Sequence, residues 1–580
     1  MPPLVRPPSL VLAGLDPLAG ELAAHLHLGG RSFTRLASDA PAARRALSRA
    51  ETAIVAAGPD TPAEIDRIAT ACAQRRARQP LRLILVSDRE PASAPPAPPA
   101  QARLRIETHG IEEAAARALL TRWPLHAGLD PLFGQAAHLL VAGWAPPARA
   151  LILQALRLMH YGGPTPVLTI ASDAPERDRA NFLAAHPQAE AIARLRFVTP
   201  EDPVAADTPP VTTAHVCLED AAAGLALAER LAATIAERQR VAPPIHLEVG
   251  ALEPRGGLDA WDGQLHPYSY RRVACHPEVL LDGRGDELAR TIHAHYRDSI
   301  AAQGRDPDLA PAGRTWEALD DAYRRASRHQ ADHLWAKLAL SDCRALPEEL
   351  VETFTFSPLE VERLAEIEHD RWAADRRLAG WTHGPQRDDR RRHHPQLVPY
   401  AELSEPMKDL DRFAVRLAPV LLARYGRGLV RMLIVGLPEP EPPVPPTRAL
   451  ARLAEEVLER LVARYPDRSL VLATTLAGAA SRAIVRRGIE AFGAGLFLLA
   501  ERPLGETLAA QPDAAARRDL LGLVAQAERR IALPDPDALA AWFAERAEIE
   551  LRIGAPAPNP AAKGVRIDLA RGCVAWGFEY

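Results

Sequence analysis

Short apolar segments that run into a glycine and then into an amphipathic helix recur along this chain, and they constrain its fold more than any other feature. The first is Leu10–Ala13 and the second is Leu139–Ala142. The same pentapeptide, ASDAP, follows each of them, at 37–41 and at 171–175. Apolar strands that alternate with helices at this spacing predict parallel sheets with right-handed crossovers. The duplication predicts two such sheets in tandem.

Further predicted strands extend each copy and then return near the carboxyl end of the chain. Those of the first two copies are Ala53–Ala57, Leu83–Val86, Ala214–Leu218 and Ile245–Val249. Those of the last region are Met432–Leu437, Ser469–Ala473, Gly495–Ala500 and Arg530–Leu533, with a helix expected at Arg517–Arg529. The pattern predicts Rossmann-like domains at 1–125, 126–255 and 429–580.

Between these regions, residues 280–428 have long helical patterns and contain four of the nine tryptophans. This stretch is expected to be helical or nearly so. A chain of 580 residues is also too long for one hydrophobic core. The fold class expected is therefore multidomain α/β, with two tandem Rossmann-like domains, a mostly helical pair of repeats and a third Rossmann-like domain.

The most specific motif lies at 364–412, and it resembles the RyR domain, the repeat of ryanodine-receptor calcium-release channels. The matching residues are Glu366, Glu368, His369, Arg371, Trp372, Gly380, Trp381, Gly384, Asp388, His394, Pro395, Leu397, Val398, Leu403 and Asp411. The clear repeat is placed at 358–415, and a degenerate sister repeat is placed at 286–345 around Trp316. The resemblance implies a paired helical unit.

One helical stripe of this motif carries a carboxylate, a guanidinium and an indole at i, i+3 and i+4 spacing. An aromatic face flanked by Arg and His suits a nucleobase with phosphates. The predicted ligand-binding residues are Glu368, Arg371, Trp372, Trp381, Arg387 and His394. The alternative is that the tryptophans belong to the core, that Glu368 and Arg371 form a packing ion pair, and that the arginine-rich loop is solvated.

The first two sheets resemble the nucleotide-binding domains of potassium-uptake regulators of the Trk/RCK kind over residues 8–250. A dinucleotide fingerprint needs glycines in the first turn and an acid after the second strand. The first copy has Asp39 but places Asp16 in the phosphate turn, so it is expected to bind nothing. The second copy offers Gly143 and Asp173 as nucleotide-binding residues. Scaffolds that have lost the dinucleotide remain the alternative.

The loop after the strand 469–473 opens a helix, where backbone amides can bind phosphate. Its predicted nucleotide-binding residues are Thr474, Thr475, Gly478 and Arg482. The region 430–545 resembles the SLOG superfamily of nucleotide-ligand sensors and processors. However, Ala480 replaces an acid found in relatives, and the nearest candidate general bases are Glu501 and Glu506. Binding without turnover is expected, with a plain Rossmann turn as the alternative.

Other classes of function are not favoured. The five cysteines are dispersed without a CxxC pair, which suggests reduced thiols and a cytoplasmic location. The histidines 383, 393 and 394 lie among arginines that repel a cation, so no metal site is expected. A net charge of −4, with basic residues not interleaved with exposed aromatics, argues against nucleic acid. The longest uncharged run contains Gln135, His138 and two prolines, so direct membrane insertion is not expected.

The function expected is a cytoplasmic sensor of a nucleotide or nucleotide-derived messenger, in a bacterial stress or antiviral system as the RyR and SLOG resemblances imply. One alternative is an NAD- or ATP-binding regulatory subunit of an ion channel or transporter. Another is an enzyme that cleaves a nucleotide or NAD at the C-terminal sheet, although no catalytic constellation is evident. The expected partner is a small nucleotide-type ligand, a nucleotide or dinucleotide of unknown identity. Self-association through the Rossmann-like domains is also expected.

Overall fold

The structure is a computed structural model that describes most of the chain. The described residues are 10–14, 17–36, 41–58, 61–72, 79–88, 103–205, 207–239, 243–250, 265–351, 353–440, 443–533, 535–554, 564–569 and 571–576. Residues Asp16 and Asp39 lie outside these ranges. The chain divides into two compact units, one made of 1–122, 146–154 and 268–328 and the other of 123–145, 155–267 and 329–580. No helix of the described part is long and apolar enough to cross a membrane.

The first unit contains a five-stranded parallel sheet. Its strands are β1 (Leu10–Ala13), β2 (Thr34–Leu36), β3 (Thr52–Ala56), β4 (Leu81–Ser87) and β5 (Leu104–Gly110). Its helices are α1 (Pro17–Leu28), α2 (Pro41–Arg49), α3 (Thr61–Cys72) and α4 (Ile111–Arg122). The strand order is β2-β1-β3-β4-β5, one of the two common doubly wound orders. The short β2 and the half-buried β5 escaped prediction because their apolar signal is weak.

The second unit contains a six-stranded sheet near the middle of the sequence. Its strands are β6 (His138–Ala142), β7 (Val167–Ala171), β8 (Arg194–Val198), β9 (Thr213–Val216), β10 (Ile245–Glu248) and β11 (Leu265–Tyr268). The helices that follow these strands in sequence are α5 (Pro146–Leu158), α6 (Pro175–Ala185) and α7 (Ala221–Gln239), and residues 146–154 of α5 belong to the first unit. The order β11-β10-β9-β6-β7-β8 is that of dinucleotide-binding Rossmann sheets. Its switch point lies between β6 and β9.

The middle of the chain is mostly helical. Its helices are α8 (Tyr270–Ala274), α9 (Pro277–Leu280), α10 (Glu287–Ala302), α11 (Asp321–Ala339), α12 (Pro358–Leu378), α13 (Glu405–Arg416) and α14 (Ala418–Arg424). The strands here are β12 (Cys343–Pro347), β13 (Thr382–His383) and β14 (His393–His394). The strand β12 pairs antiparallel with the strand that opens the third sheet, so the mostly helical middle also contributes one strand to that sheet.

The third sheet, also in the second unit, has eight strands. Besides β12 they are β15 (Arg427–Gly436), β16 (Arg468–Thr474), β17 (Gly495–Ala500), β18 (Arg529–Ala532), β19 (Ile549–Ile553), β20 (Gly564–Asp568) and β21 (Cys573–Trp576). Its helices are α15 (Arg448–Arg464), α16 (Ala479–Phe492), α17 (Leu504–Ala509), α18 (Ala514–Val524) and α19 (Pro536–Arg546). The order is β18-β17-β16-β15-β19-β20-β21. The predicted helix 517–529 ends early because Arg529 enters β18 and its guanidinium lies 4.6 Å from the Phe497 ring centre.

A buried carboxylate ties the segment before β6 to the third sheet. Asp130 is completely buried. It accepts a hydrogen bond from Trp542 Nε1 at 2.9 Å and another from Arg546 Nε at 2.8 Å. A buried charge is tolerated only when it is paired and hydrogen-bonded. Asp130 therefore fixes α19 against the chain that leads into β6.

Gly143 is required by the backbone at the switch point of the second sheet. Its φ is +111°, and a Cβ there would lie 2.3 Å from the carbonyl oxygen of Cys217, directly after β9. We expect Gly143→Ala to lower the free energy of unfolding by more than the roughly 1–3 kcal/mol of backbone strain alone, because strain and collision add. Gly163→Ala is the matched control, since its φ is +88° but no atom lies within 4 Å of the new Cβ.

Urea denaturation followed by tryptophan fluorescence measures this difference. Equal losses of stability in the two variants would show that the approach of β6 to Cys217 does not constrain this turn.

Candidate functional site

The helix α12 carries most of the candidate site, and its start is fixed by local chemistry. The Ser357 hydroxyl accepts a hydrogen bond from the Glu360 amide, and the Glu360 carboxylate accepts one from the Ser357 amide. This reciprocal capping box satisfies two amides that a helix start leaves open. Glu360 also binds Arg431 of β15 through both carboxylate oxygens, at 2.6 and 2.8 Å. The helix is therefore anchored to the third sheet at its first turn.

Glu368, in the middle of α12, is the centre of a buried ion-pair network. Its carboxylate accepts a hydrogen bond of 2.7 Å from Arg371 Nη2 and lies 2.6 Å from Lys337 Nζ on α11. All three side chains are buried, with 4%, 5% and 2% of their residues' surface exposed for Glu368, Arg371 and Lys337. Glu368 and Arg371, both predicted to contact a ligand, therefore bind each other inside the domain.

The charges of this network determine the ionisation of Glu368. Burial alone would raise the pKa of its carboxyl, but the positive charges of Arg371 and Lys337 outweigh that effect and hold the pKa well below its ordinary value. Glu368 is thus a carboxylate at neutral pH. One carboxylate satisfies two cations, and together they join α11 to α12.

Trp372, next in sequence, is half-buried and lies in an aromatic cluster at the surface. Its ring centre lies 5.6 Å from that of His369, in a stacked arrangement, and 4.9 Å from that of His394, edge to face. The ring of Trp381 lies 6.0 Å from His394. Three of the predicted binding residues, Trp372, Trp381 and His394, are therefore brought together.

Arg376 lies close to both tryptophan rings, with its guanidinium carbon 5.9 Å from the centre of Trp372 and 5.5 Å from that of Trp381. The guanidinium carbon of Arg387 also lies 6.0 Å from the ring centre of Trp381. We call Trp372, Arg376, Trp381, Arg387 and His394 the tryptophan site. Such contacts between Arg and indole are attractive by roughly 0.5–2 kcal/mol. They hold the guanidinium groups in place beside the aromatic rings.

Sequence reasoning missed Arg376, although its position one helical turn after Trp372 could have suggested it. No acidic side chain of the described residues forms an ion pair with it within 4 Å, and its Nε atom is buried without a hydrogen bond there. In contrast, Arg387 pairs with Asp389 at 2.8 Å. Arg376 therefore has no direct carboxylate partner among the described residues, and its charge acts on Asp389 only from a distance.

The pKa values of His369 and His394, on two sides of the tryptophan site, are shifted in opposite directions. Burial alone would lower the pKa of His369, but the Asp411 carboxylate and the Val398 carbonyl outweigh it and raise that pKa. Burial, followed by the charges of Arg387 and Arg376, lowers the pKa of His394. Trp372 thus contacts one histidine whose pKa is raised and one whose pKa is lowered.

Beside the tryptophan site, the arginine-rich loop forms an open depression of about 620 Å³. It is lined by Pro385, Gln386, Arg387, Asp388, Asp389, Arg390, Arg391 and His393. Asp388 stabilises the turn of this loop, since its Oδ1 accepts hydrogen bonds from the backbone amides of Arg390 and Arg391. No cluster of His, Cys, Asp or Glu that could hold a metal occurs in the described residues, the histidines of this loop included.

In the second sheet, Gly143 and Asp173 lie at the carboxyl ends of β6 and β7. Asp173 is exposed, and neither a hydrogen bond nor an ion pair of its side chain is found in the part of the chain that is described. The helix α5 nevertheless begins with two prolines, 146 and 147. Proline lacks an amide hydrogen, so the first turn has two donors fewer for a pyrophosphate. Trp144 packs edge to face against Phe197 of β8 at 5.8 Å.

At the third sheet, hydroxyl groups at the loop between β16 and α16 bind a carboxylate from another part of the chain. Thr475 Oγ1 donates to Glu439 Oε1 at 3.0 Å, and Ser481 Oγ donates to Glu439 Oε2 at 2.5 Å. Thr474 is completely buried, and its hydroxyl lies 3.5 Å from the same carboxylate. Glu439 follows β15 and had no signal in the sequence, because it is distant along the chain from the residues that it binds.

Arg482, predicted to reach a phosphate, instead closes this loop. Its Nη1 donates to the carbonyl oxygens of Leu476 and Ala477 at 2.9 and 3.0 Å, and its Nε lies 3.2 Å from Asp519 Oδ2. Leu476 has a φ of +58°, a left-handed conformation that is unusual for leucine. The guanidinium therefore holds a strained turn, and its role towards a ligand stays a prediction.

Comparison with known proteins identifies one part of the chain. Residues 357–427 match the family model of the RyR domain. Among solved structures, the NAD-dependent formate dehydrogenase from Staphylococcus aureus in complex with NAD is similar at 12% identity and a TM-score of 0.20, covering 48% of this chain and 94% of that one. The chain contains an RyR domain, as predicted. The Trk/RCK-like and SLOG-like resemblances stay predictions.

We expect Glu368→Gln to destabilise the protein by about 3–5 kcal/mol, because it leaves Lys337 and Arg371 buried without their anion. Glu366→Gln, an exposed position on the same helix, should cost less than about 0.5 kcal/mol. Thermal unfolding at neutral pH measures both.

The stability that Glu368 contributes should also depend on pH, which a comparison of the wild type with Glu368→Gln would show. Since the folded-state pKa of Glu368 lies below its ordinary value of 4.5, its stabilisation is complete above that value and is lost as the pH falls through the folded-state pKa. The melting temperature of the wild type should therefore fall more steeply below about pH 5 than that of Glu368→Gln. Parallel curves would contradict this assignment.

Proposed function

We propose that this protein is a sensor that binds a nucleotide or nucleotide-derived messenger at the tryptophan site of its RyR domain. The observation that carries the proposal is the position of Arg376 near two half-buried indole rings, with no acidic side chain paired to it in the described residues. Indole rings can stack on the face of any nucleobase. Guanidinium groups bind phosphate through paired donors.

The base and the phosphates of such a ligand would bind at different positions. The base would stack on the exposed face of Trp372 or Trp381, and the phosphates would be bound by Arg376 and by the arginines around the neighbouring depression. Glu368 and Arg371 would act indirectly, by holding α12 in position. No residue of this site is assigned a catalytic role, so binding is proposed without turnover.

The biological role is part of the same proposal. The RyR resemblance, together with the SLOG resemblance of the C-terminal region, supports a bacterial stress or antiviral signalling system with a cytoplasmic sensor. The loop of Thr474, Thr475 and Gly478 would supply a second phosphate-binding position, in the third sheet. Self-association through the Rossmann-like sheets belongs to this proposal as well.

Single substitutions at the tryptophan site test the proposal. Trp372→Ala and Trp381→Ala should each weaken nucleotide binding by roughly 1–3 kcal/mol, the range for base–aromatic stacking, which is about 5- to 150-fold in Kd. Isothermal titration with ATP, NAD and cyclic di-AMP as probes measures the effect. Trp335→Ala, another half-buried tryptophan but on α11, is the control and should bind as the wild type does.

Arg376→Ala separates the phosphate contact from stacking. It should weaken the binding of ATP more than the binding of adenosine, because only ATP carries the phosphates that Arg376 would bind. Arg390→Ala, at an exposed position, should weaken ATP binding less. Wild-type affinity in a folded Trp372→Ala, Arg376→Ala double variant would remove this surface from consideration as the nucleotide site.

A second candidate function is an NAD- or ATP-binding regulatory subunit of an ion channel or transporter. It is favoured by the strand order of the second sheet and by the exposed position of Asp173 after β7. In Rossmann sheets an acid at this place accepts the ribose hydroxyls. The two prolines at the start of α5 disfavour a tightly bound pyrophosphate, because they supply no amide hydrogens to it.

We expect Asp173→Asn to weaken NAD binding by roughly 1–3 kcal/mol if this candidate is correct, since a hydrogen bond to a charged group is lost. The neighbouring Glu176→Gln, also exposed, is the control. Titration of NAD against both variants measures the effect. Identical affinities would leave the second sheet with a structural role.

A further inference from the structure

The carboxylate of Glu439 lies where the third sheet would be expected to receive an anionic ligand. This place is the end of β16 and the first turn of α16, at the carboxyl edge of a parallel sheet. Ligands of open α/β sheets bind along that edge. Glu439 reaches it from the segment after β15, the neighbouring strand.

The contacts of Glu439 are those of a bound anion. Both oxygens accept hydroxyl hydrogen bonds, Oε1 from Thr475 and Oε2 from Ser481, and the buried Thr474 hydroxyl lies 3.5 Å from Oε1. Three hydroxyl groups from two sides of the turn thus converge on one carboxylate. Phosphate oxygens accept the same kind of hydrogen bond.

The carboxylate also lies against the backbone of the helix start. A Cβ on Gly478, the residue that caps α16, would come within 2.4 Å of Glu439 Oε2. Gly478 has no side chain that could cap the helix. The amino end of a helix carries a partial positive charge that attracts anions. Glu439 supplies the negative charge at this helix end from within the chain.

Among the described residues, no cation forms a direct ion pair with Glu439, although the charge of Arg482 attracts it from a greater distance. Arg482 directs its donors to the carbonyl groups of Leu476 and Ala477 and to Asp519. The hydrogen bonds that the carboxylate accepts from the described residues therefore come from neutral hydroxyl groups, which bind an anion less strongly than a directly paired guanidinium does. A dianionic phosphate offers the same donors more charge and more acceptor oxygens than a carboxylate does.

We propose that Glu439 is an internal competitor that occupies the phosphate position of the third sheet, so that a phosphate-bearing ligand binds there only by displacing its carboxylate. The inference rests on the proposal that the loop of Thr474, Thr475 and Gly478 binds phosphate. It makes the C-terminal sheet self-inhibited, and it adds Ser481 to the residues that contact the ligand.

Inorganic pyrophosphate is the probe, and the full chain is titrated by calorimetry at neutral pH. Glu439→Ala should bind pyrophosphate at least tenfold more tightly than the wild type, because the competing anion is gone. Adding Ser481→Ala to that variant should remove most of the gain. Glu439→Gln removes the charge while keeping the size of the side chain, and it should show the same direction if Glu439→Ala fails to fold. Glu456→Gln, a carboxylate of α15 paired with Arg460, is the control and should match the wild type.

Two results would overturn the inference, and they differ in what else they overturn. If Glu439→Ala and Glu439→Gln bind pyrophosphate no better than the wild type, while Ser481→Ala weakens binding by the wild type, Glu439 is a helix cap and the phosphate site stands. If neither the wild type nor the Glu439 variants bind pyrophosphate, the phosphate site of the third sheet falls as well. The tryptophan site, which is tested with separate variants, is unaffected by either result.

Discussion

The buried pairing of Glu368 with Lys337 and Arg371 is the interaction on which the helical domain depends. A carboxylate without these partners would be strongly disfavoured inside the protein, and so would either cation without the carboxylate. Their mutual requirement fixes both the rotation of α12 about its axis and its distance from α11. Trp372 follows Arg371 directly, so this rotation also decides that its indole reaches the surface. The tryptophan site is therefore positioned by a buried network of charges on α11 and α12.

The arginines of the RyR domain show how a common residue acquires different roles. Arg371 forms a buried ion pair with Glu368, and Arg387 forms an exposed one with Asp389. Arg412 forms ion pairs with Glu362, Glu405 and Asp409. Arg376 lies near two indole rings, where its electrostatic partner is aromatic and its hydrogen-bond donors are not used by a carboxylate of the described residues. Guanidinium groups can be held by stacking and still bind an anion. This combination distinguishes Arg376 from its neighbours.

The second and third sheets use the carboxyl edge of their parallel strands in different ways. At the second sheet, Gly143 allows two backbone segments to approach closely, and the prolines of α5 remove donors that a phosphate would need. At the third sheet, small residues leave the helix start accessible, and a glutamate from the adjacent loop occupies it. A shared architecture thus leads to edges with different chemistry, because the loops, not the strands, supply the polar groups.

Much of this organisation could be derived from the residues alone. The central strands of all three sheets, the helix α12 and the RyR domain follow from apolar periodicity and from a motif of nearly fifty residues, because both are local properties of the chain. The proximity of Trp372, Trp381 and His394 agrees with that motif. Which side chains pair across the fold was not accessible in this way. Periodicity could not tell whether Arg371 faces a ligand or Glu368, nor that Lys337 lies on the other side of the same carboxylate. It likewise gave no sign that Glu439 reaches Thr475 and Ser481. The contacts of Lys337 and of Glu439 join residues that are far apart in sequence, and even the local pair of Glu368 and Arg371 has other possible partners on the helix surface. Which groups pair is decided only when burial in the folded chain makes an unpaired charge too costly.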